Sequence, residues 1–371
     1  MSKRANGEGS IYKRKDGRWT ARISLPGGRR KDFFGKTRQE VVAKLTVALK
    51  ARQDSLPVVG EKQTVAQFLE AWQESIESTV RPTTASTYAT LIRLHVEPFI
   101  GKHILSRLQP QHLQRLYSDR IKHGLSPQSV RKIHAVIHVA LERAMKWDLV
   151  VRNVADLATP PRGERHEFET LGPDEARSLL SAAKGHRLEA LYWLALTTGM
   201  RQGELLALRW KEVNFEARAL QVRGTLTLKE GRYVVSEPKT PGSRRQVALG
   251  GQVIEVLRLH RSRQAEERLA KGSCWMDNDL VFANEVGNPI EPSNLRRRSF
   301  FPLLEKAGLK RIRFHDLRHS AATLLLGEGI HPKIVSERLG HSRVSITLDL
   351  YSHVTPTMQQ QAVEAMDKLL A

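Results

Sequence analysis

Six residues in the C-terminal half of this 371-residue chain combine side-chain types suited to chemistry at a phosphate. Arg201 follows the turn Thr198-Gly199-Met200, where an apolar helix from Leu188 to Leu196 gives way to a new one with Leu205 and Leu208 inward. Lys239 lies in the turn-rich stretch Glu237-Pro238-Lys239-Thr240-Pro241-Gly242, read as the tip between two strands, Val234-Val235-Ser236 and Arg245 to Leu249. His315 and Arg318 open the helix of His315-Asp316-Leu317-Arg318 and, at i and i+3, share a face. His341 closes Leu339-Gly340-His341, and Tyr351 follows ten residues later. Each segment sets a polar, mostly cationic residue at a turn or helix start in apolar surroundings. Guanidinium forks match phosphate oxygens bidentately. Histidines exchange protons near neutral pH, and a tyrosine hydroxyl can act as a nucleophile.

The charge balance agrees with an anionic partner. The chain has 60 Lys+Arg against 39 Asp+Glu, a net charge of +21, and a pI near 10.3. A polyanion, most simply nucleic acid, is the expected partner. Hydrophobic residues make up 40%, enough for real cores. No apolar run approaches the roughly 20 residues of a membrane span, and the N-terminus lacks the apolar stretch of a secretory signal. The lone Cys274 excludes an internal disulfide framework and a multi-Cys zinc site, and fits a reducing, cytoplasmic compartment. No Walker A sequence is present, and Gly7-Glu8-Gly9 lacks the third glycine of a dinucleotide fingerprint.

About half the excess charge, a net +10, lies in the first 55 residues. Ser10 to Arg14 reads as a strand, followed by the hairpin signal Asp16-Gly17. The next strand alternates, with Trp19, Ala21, Ile23 and Leu25 on one face and Thr20, Arg22 and Ser24 on the other. A third strand spans Arg29 to Phe34, and a helix with Val41, Leu45 and Ala48 or Leu49 inward begins near Thr37. A small three-stranded sheet backed by one helix is expected, its outer face polar and basic. Such a ribbon can enter a major groove, with Lys13, Arg14, Thr20, Arg22 and Ser24 as candidate contacts.

A linker over 53–63 separates this segment from a second one, where Thr64 is read as the N-cap of a helix carrying Val65, Phe68, Leu69 and Trp72. Further helices are expected at about 83–97, 110–122 and 126–146, with Pro98 in a connecting loop. His134 and His138 stand four apart, but Ala135 occupies the place of the metalloprotease glutamate, so no metal is assigned. Arg131, Lys132 and His134 are instead read as part of a DNA-facing or merely solvated surface.

The motifs together resemble the tyrosine recombinase (phage integrase) family. Its pattern is an Arg after a Thr-Gly turn, a hairpin Lys, His-x-x-Arg, Leu-Gly-His and a downstream Tyr. Arg201, Lys239, His315, Arg318, His341 and Tyr351 fill all six positions in order. The resemblance covers nearly the whole chain and implies three domains: an arm-site module over 1–55, an all-α core-site domain over 64–158 and a mixed α/β, mostly helical catalytic domain over 166–371. It also implies the roles. Tyr351 attacks a phosphodiester to give a 3′-phosphotyrosine, and Arg201 and Arg318 clamp the phosphate. Lys239 protonates the leaving oxygen, His315 acts as acid or base, and His341 hydrogen-bonds the phosphate. No metal or other cofactor is needed. Lys229, Arg244 and Arg245 are alternatives near Lys239, but Thr240 with Ser243 and Arg244 best matches the pattern. Tyr192 and Tyr233 compete with Tyr351, but only Tyr351 follows Leu-Gly-His at the family spacing. Glu204, at i+3 from Arg201, is read as its support, and His319 as structural.

The resemblance further implies double-stranded core and arm DNA, a homotetrameric synapse, an excisionase and a host DNA-bending protein as partners. A terminal helix over about 357–370, with Val363, Met366 and Leu370 on one face, fits docking on its own domain or on a neighbour. The expected activity is integration and excision of a phage or other mobile element. A chromosome-dimer resolvase, a type IB topoisomerase and a non-enzymatic DNA-binding regulator are the alternatives.

Overall fold

Alternation along Trp19–Ser24 makes that segment (β2) the middle strand of an antiparallel sheet, between β1 (Ser10–Lys13) and β3 (Arg30–Gly35). The computed structural model describes residues 10–14, 17–24, 30–53, 63–163, 168–229, 231–237, 244–341 and 343–351, and 363–364, 366–368 and 370 near the C-terminus. Gly17, at φ 81°, lies in the turn closed by the Arg14 N–H on the Arg18 carbonyl. Ala21 and Ile23 are buried against Val41 and Leu45 of α1 (Arg38–Gln53), with Ile11, Trp19, Phe33 and Leu49 packed around them. Leu25, expected on this face, lies outside the described residues.

The opposite face departs from expectation. Strand register sets Tyr12, Thr20 and Phe34 side by side. The two aromatic rings cover the short threonine, which is 0% exposed. Arg22 pairs bidentately with Asp32 at 2.6 and 2.8 Å and lies over Tyr12, while Arg14 lies over Phe34. The face is therefore aromatic and cationic, and Thr20 is not available as a surface contact.

The chain divides into two compact units, Met1–Arg165 and His166–Ala371. Besides the sheet, the first contains a helical core. Its α2 (Val65–Ile76) starts with a capping box: the Thr64 N–H donates to Gln67 Oε1, and the Gln67 N–H to Thr64 Oγ1. Phe68 and Trp72 are fully buried, each contributing about 1.5–3 kcal/mol by the usual transfer scale. The helix expected at 83–97 runs further. α3 (Pro82–Leu91) widens into a π turn over Ile92–Val96 and continues as α4 (Glu97–Ile100), which carries Pro98 in its first turn. The wide turn lets the helix pass a residue that lacks an N–H and would crowd the preceding turn. Pro98 is thus helical. α5 (Pro110–Lys122) and α6 (Pro127–Lys146) follow, and α6 buries a stripe at helical spacing, Ile133, Val136, Ile137, Ala140, Leu141 and Ala144.

The second unit is built around the apolar α8 (Glu189–Thr198), with α7 (Pro173–Ala183) before it and α9 (Gln202–Ala207) after it. β4 (Val213–Asn214), β5 (Ala219–Val222), β6 (Thr225–Lys229), β7 (Arg232–Ser236) and β8 (Arg245–Ala248) come next. β7 pairs with β6, whereas β8 pairs with β5 in the other sheet. The strands on either side of Lys239 are therefore not partners. The tight turn between paired Lys229 and Arg232, with Gly231 at φ 76°, commits β7 to β6 first. The unit is completed by α10 (Gly251–Lys271), α11 (Pro292–Leu295), α12 (Phe301–Lys306), α13 (Asp316–Gly327), α14 (Pro332–Leu339) and α15 (Val344–Tyr351).

The architecture is the mostly helical one expected, with small sheets. Val363, Met366 and Leu370 are helical in the described residues and exposed. Among the described residues, no helix is long and apolar enough to cross a membrane.

Candidate active site

Two left-handed glycines end the helices that lead to the key side chains. α8 stops at Gly199, φ 63°, and Met200 is buried behind it. The chain then extends, so Arg201 is the N-cap of α9. A Cβ at Gly199 would come within 2.2 Å of Leu339 Cδ2, so the turn needs glycine for space as well as for φ. The Gly199 carbonyl accepts a 2.7 Å bond from Arg318 Nη1. Arg318, 3% exposed, is thereby tied to the turn that presents Arg201.

α14 stops at Gly340, φ 71°, and the His341 N–H reaches back to the Ser336 carbonyl at 3.0 Å. This closed helix end fixes the direction in which His341 leaves. Its Nδ1 lies 2.8 Å from the buried Thr347 hydroxyl on α15. Arg201 Nη2 donates to the Gly340 carbonyl at 3.3 Å, joining the two glycine turns.

His315 stands at the N-cap of α13. Asp316, the next residue, is buried and accepts both the Arg313 N–H and the Arg313 guanidinium. This local pairing holds the turn that carries His315. His319 is buried, edge-on to His315 at 5.0 Å and stacked on Phe168 at 4.3 Å. The Leu171 N–H donates to Ser320 Oγ, which itself donates to the Asp316 carbonyl.

Arg201, His315, Arg318 and His341 thus converge, close enough that the two arginines act electrostatically on both histidines. Tyr351 closes α15, but its side chain lies outside the described residues, as does Lys239.

Sequence reasoning missed Arg245 and Arg338. Glu204, 4% exposed, accepts Arg201 Nη1 at 2.8 Å and the Arg201 N–H at 3.0 Å. It also takes Arg245 Nη2 at 2.9 Å and Nη1 at 3.4 Å. Arg245 Nε reaches the Arg338 carbonyl, and Arg338 in turn donates to the Thr197 and Ala248 carbonyls. Burial pushes the Glu204 carboxyl up, but Arg245 and Arg201 outweigh it and hold the group below the usual range. An arginine in a basic stretch has no local signature for this. The hint was the buried acid at 204, whose charge needs more than one partner.

Burial, then the nearby cations, pushes His341 down to about 4. Burial and neighbouring His315 do the same for His319, and burial with Arg318 and Arg201 lowers His315. These imidazoles are neutral at pH 7. For His319 and His341 the unfolded chain takes up a proton from about pH 6.5 downward while the folded chain resists until about 4. Stability is full above pH 6.5 and falls as pH drops toward 4, by up to about 1.4 kcal/mol per pH unit for each histidine. Urea unfolding between pH 7.5 and 4.5 should show this slope, and His319→Gln should flatten it. An unchanged slope in that variant would locate the titration elsewhere.

Residues 169–358 match the Phage integrase family, and residues 64–120 match the phage integrase N-terminal SAM-like domain. The chain belongs to the phage integrase family. As a member it is a tyrosine site-specific recombinase. It is 33% identical to a "Tyrosine recombinase XerC-like" protein of Caldanaerobacter subterraneus subsp. tengcongensis, over 96% of this chain and 97% of that one. The fold is similar to that of Tn1549 integrase in complex with transposon right end DNA, with TM-score 0.70, 23% identity and coverage of 83% of this chain and 100% of that one. It is also similar to that of a lambda integrase tetramer bound to a Holliday junction, with TM-score 0.58, 18% identity and 94% and 96% coverage.

The recombinase's expected DNA contacts are placed unevenly. Lys13, Arg14, Arg131 and Lys132 are exposed. Arg22 is engaged by Asp32, and the Ser24 side chain lies outside the described residues. His134 is half-buried with Nδ1 2.9 Å from the Tyr117 hydroxyl, so it partly serves the helical core, and His138 pairs with Asp156.

Proposed function

We propose that this recombinase integrates and excises a phage or related mobile element, with Tyr351 as nucleophile. The observation carrying the reading is the convergence of Arg201, Arg318, His315 and His341 on the two glycine turns. Tyr351 Oη attacks the scissile phosphorus, forming the 3′-phosphotyrosine bond, and the bond to the 5′-oxygen breaks. Neutral His315 is suited to take up the tyrosine proton, and Lys239 gives a proton to the leaving 5′-oxygen. Arg201 and Arg318 hold the nonbridging oxygens as negative charge builds. His341 has Nδ1 committed to Thr347, so its contact to the phosphate falls to Nε2. The covalent bond conserves the energy of the broken phosphodiester, and religation to a second strand reverses the step.

Three domains divide the work: an arm-site module over 1–55, a core-site domain over 64–158 and a catalytic domain over 166–371. The basic, aromatic face formed by Tyr12, Arg14, Arg22 and Phe34 supports the first assignment. Four copies would assemble on core and arm DNA in the bacterial cytoplasm. An excisionase and a host bending protein would set direction.

The test is to map the adduct. Incubation with a nicked duplex bearing the sequence repeated at both ends of the element should yield a detergent-stable complex, with the nucleotide on the peptide containing Tyr351. Label on a peptide containing Tyr192 or Tyr233 would overturn the assignment.

A further inference from the structure

We propose that Arg245 is a positioning residue that keeps Arg201 electrostatically available to the scissile phosphate. The inference rests on the reading that Arg201 clamps that phosphate. Glu204 is the difficulty: a buried carboxylate bonded to Arg201 at 2.8 Å would, as a simple pair, cancel the charge the clamp needs. Arg245 supplies the second cation. Its head group is nearly as buried as Glu204, at 7% side-chain exposure, and meets both carboxylate oxygens. The trio Arg201–Glu204–Arg245 therefore carries a net single positive charge, and Arg201, the most exposed of the three, is the member that can reach a ligand.

The same side chain fixes geometry. Arg245 Nε donates to the Arg338 carbonyl at 2.6 Å, two residues before Gly340. A Cβ on Gly340 would fall 2.9 Å from Arg245 Nη1, so that glycine makes room for the guanidinium. Gly340 in turn offers its carbonyl to Arg201. Arg245 heads β8, the first strand after the segment that carries Lys239. One buried arginine thus touches the carboxylate that holds Arg201 and the turn before His341, from the strand that follows Lys239. It contacts no substrate itself.

The experiment is single-turnover cleavage of the nicked duplex, with a phosphate or a methylphosphonate at the scissile position. The neutral methylphosphonate asks less of a cationic clamp. On phosphate, Arg245→Gln should slow cleavage about 10- to 100-fold, less than removal of a direct donor. Its DNA affinity should change less than about threefold, because many other phosphate contacts set it. On methylphosphonate the loss should shrink to under about fivefold, as expected when the missing element is charge. In a Glu204→Gln background, where no buried anion needs balancing, Arg245→Gln should cost less than about threefold. Arg245→Lys, which restores the charge, should recover most of the rate. Equal losses on both substrates, or the same loss in the Glu204→Gln background, would overturn the proposal by making Arg245 a fold residue only. If Arg245→Gln unfolds, the Glu204→Gln background decides alone, and a loss above about tenfold there overturns it. Failure of the wild-type protein to form any covalent complex would instead remove the recombinase reading beneath it.

Discussion

Tyr351→Phe abolishes the covalent protein–DNA complex on a nicked duplex and leaves DNA binding at the wild-type level. The change deletes one oxygen at the end of α15. That oxygen is the atom to which phosphorus would be transferred, so the expected loss is complete rather than graded. Binding is unaffected because duplex affinity is dominated by many backbone contacts, none of which needs this hydroxyl. Gel shift and denaturing electrophoresis on the same samples separate the two properties. A retained adduct would remove Tyr351 as nucleophile. Unchanged biological activity would favour a DNA-binding regulator over an enzyme.

Arg318→Ala lowers cleavage by about 10²–10³-fold, the usual cost of one preorganised donor to a developing oxyanion. It also destabilises the fold. Arg318 is buried and donates to the Gly199 carbonyl, so truncation leaves that acceptor in a closed site, at a cost of about 1–3 kcal/mol. Arg318→Lys should recover part of the stability and little of the rate, because an ammonium cannot serve the carbonyl and two phosphate oxygens in one plane. Single-turnover cleavage and thermal melts on both variants check this. A lysine variant with full activity would show that only charge is required there.

Local signals were the readable ones. The Thr64 cap and the α6 stripe follow from spacing within a few turns, and both form. The ordered motifs point to the family without any geometry. What spacing hides is pairing between distant segments. β7 and β8 look like one hairpin in sequence, yet each prefers a partner upstream. Thr20 belongs to a polar alternation, but two rings from neighbouring strands close over it. Pro98 reads as a breaker until a π turn accommodates it. In the sequence Arg245 reads only as a substitute for Lys239, because nothing local marks a strand arginine whose partner lies on a distant helix.

The fit between the glycine turns also constrains how such a chain can diverge. Leu339 occupies the space left by Gly199, Arg245 the space left by Gly340, and the Gly340 carbonyl receives Arg201. The Thr-Gly-Met-Arg and Leu-Gly-His segments are therefore mated surfaces and cannot drift separately. A chimera taking one segment from this chain and the other from a distant relative would inherit a mismatch at its centre, however well each parent folds. Hybrids that keep both segments and β8 from one parent are the ones that should survive shuffling.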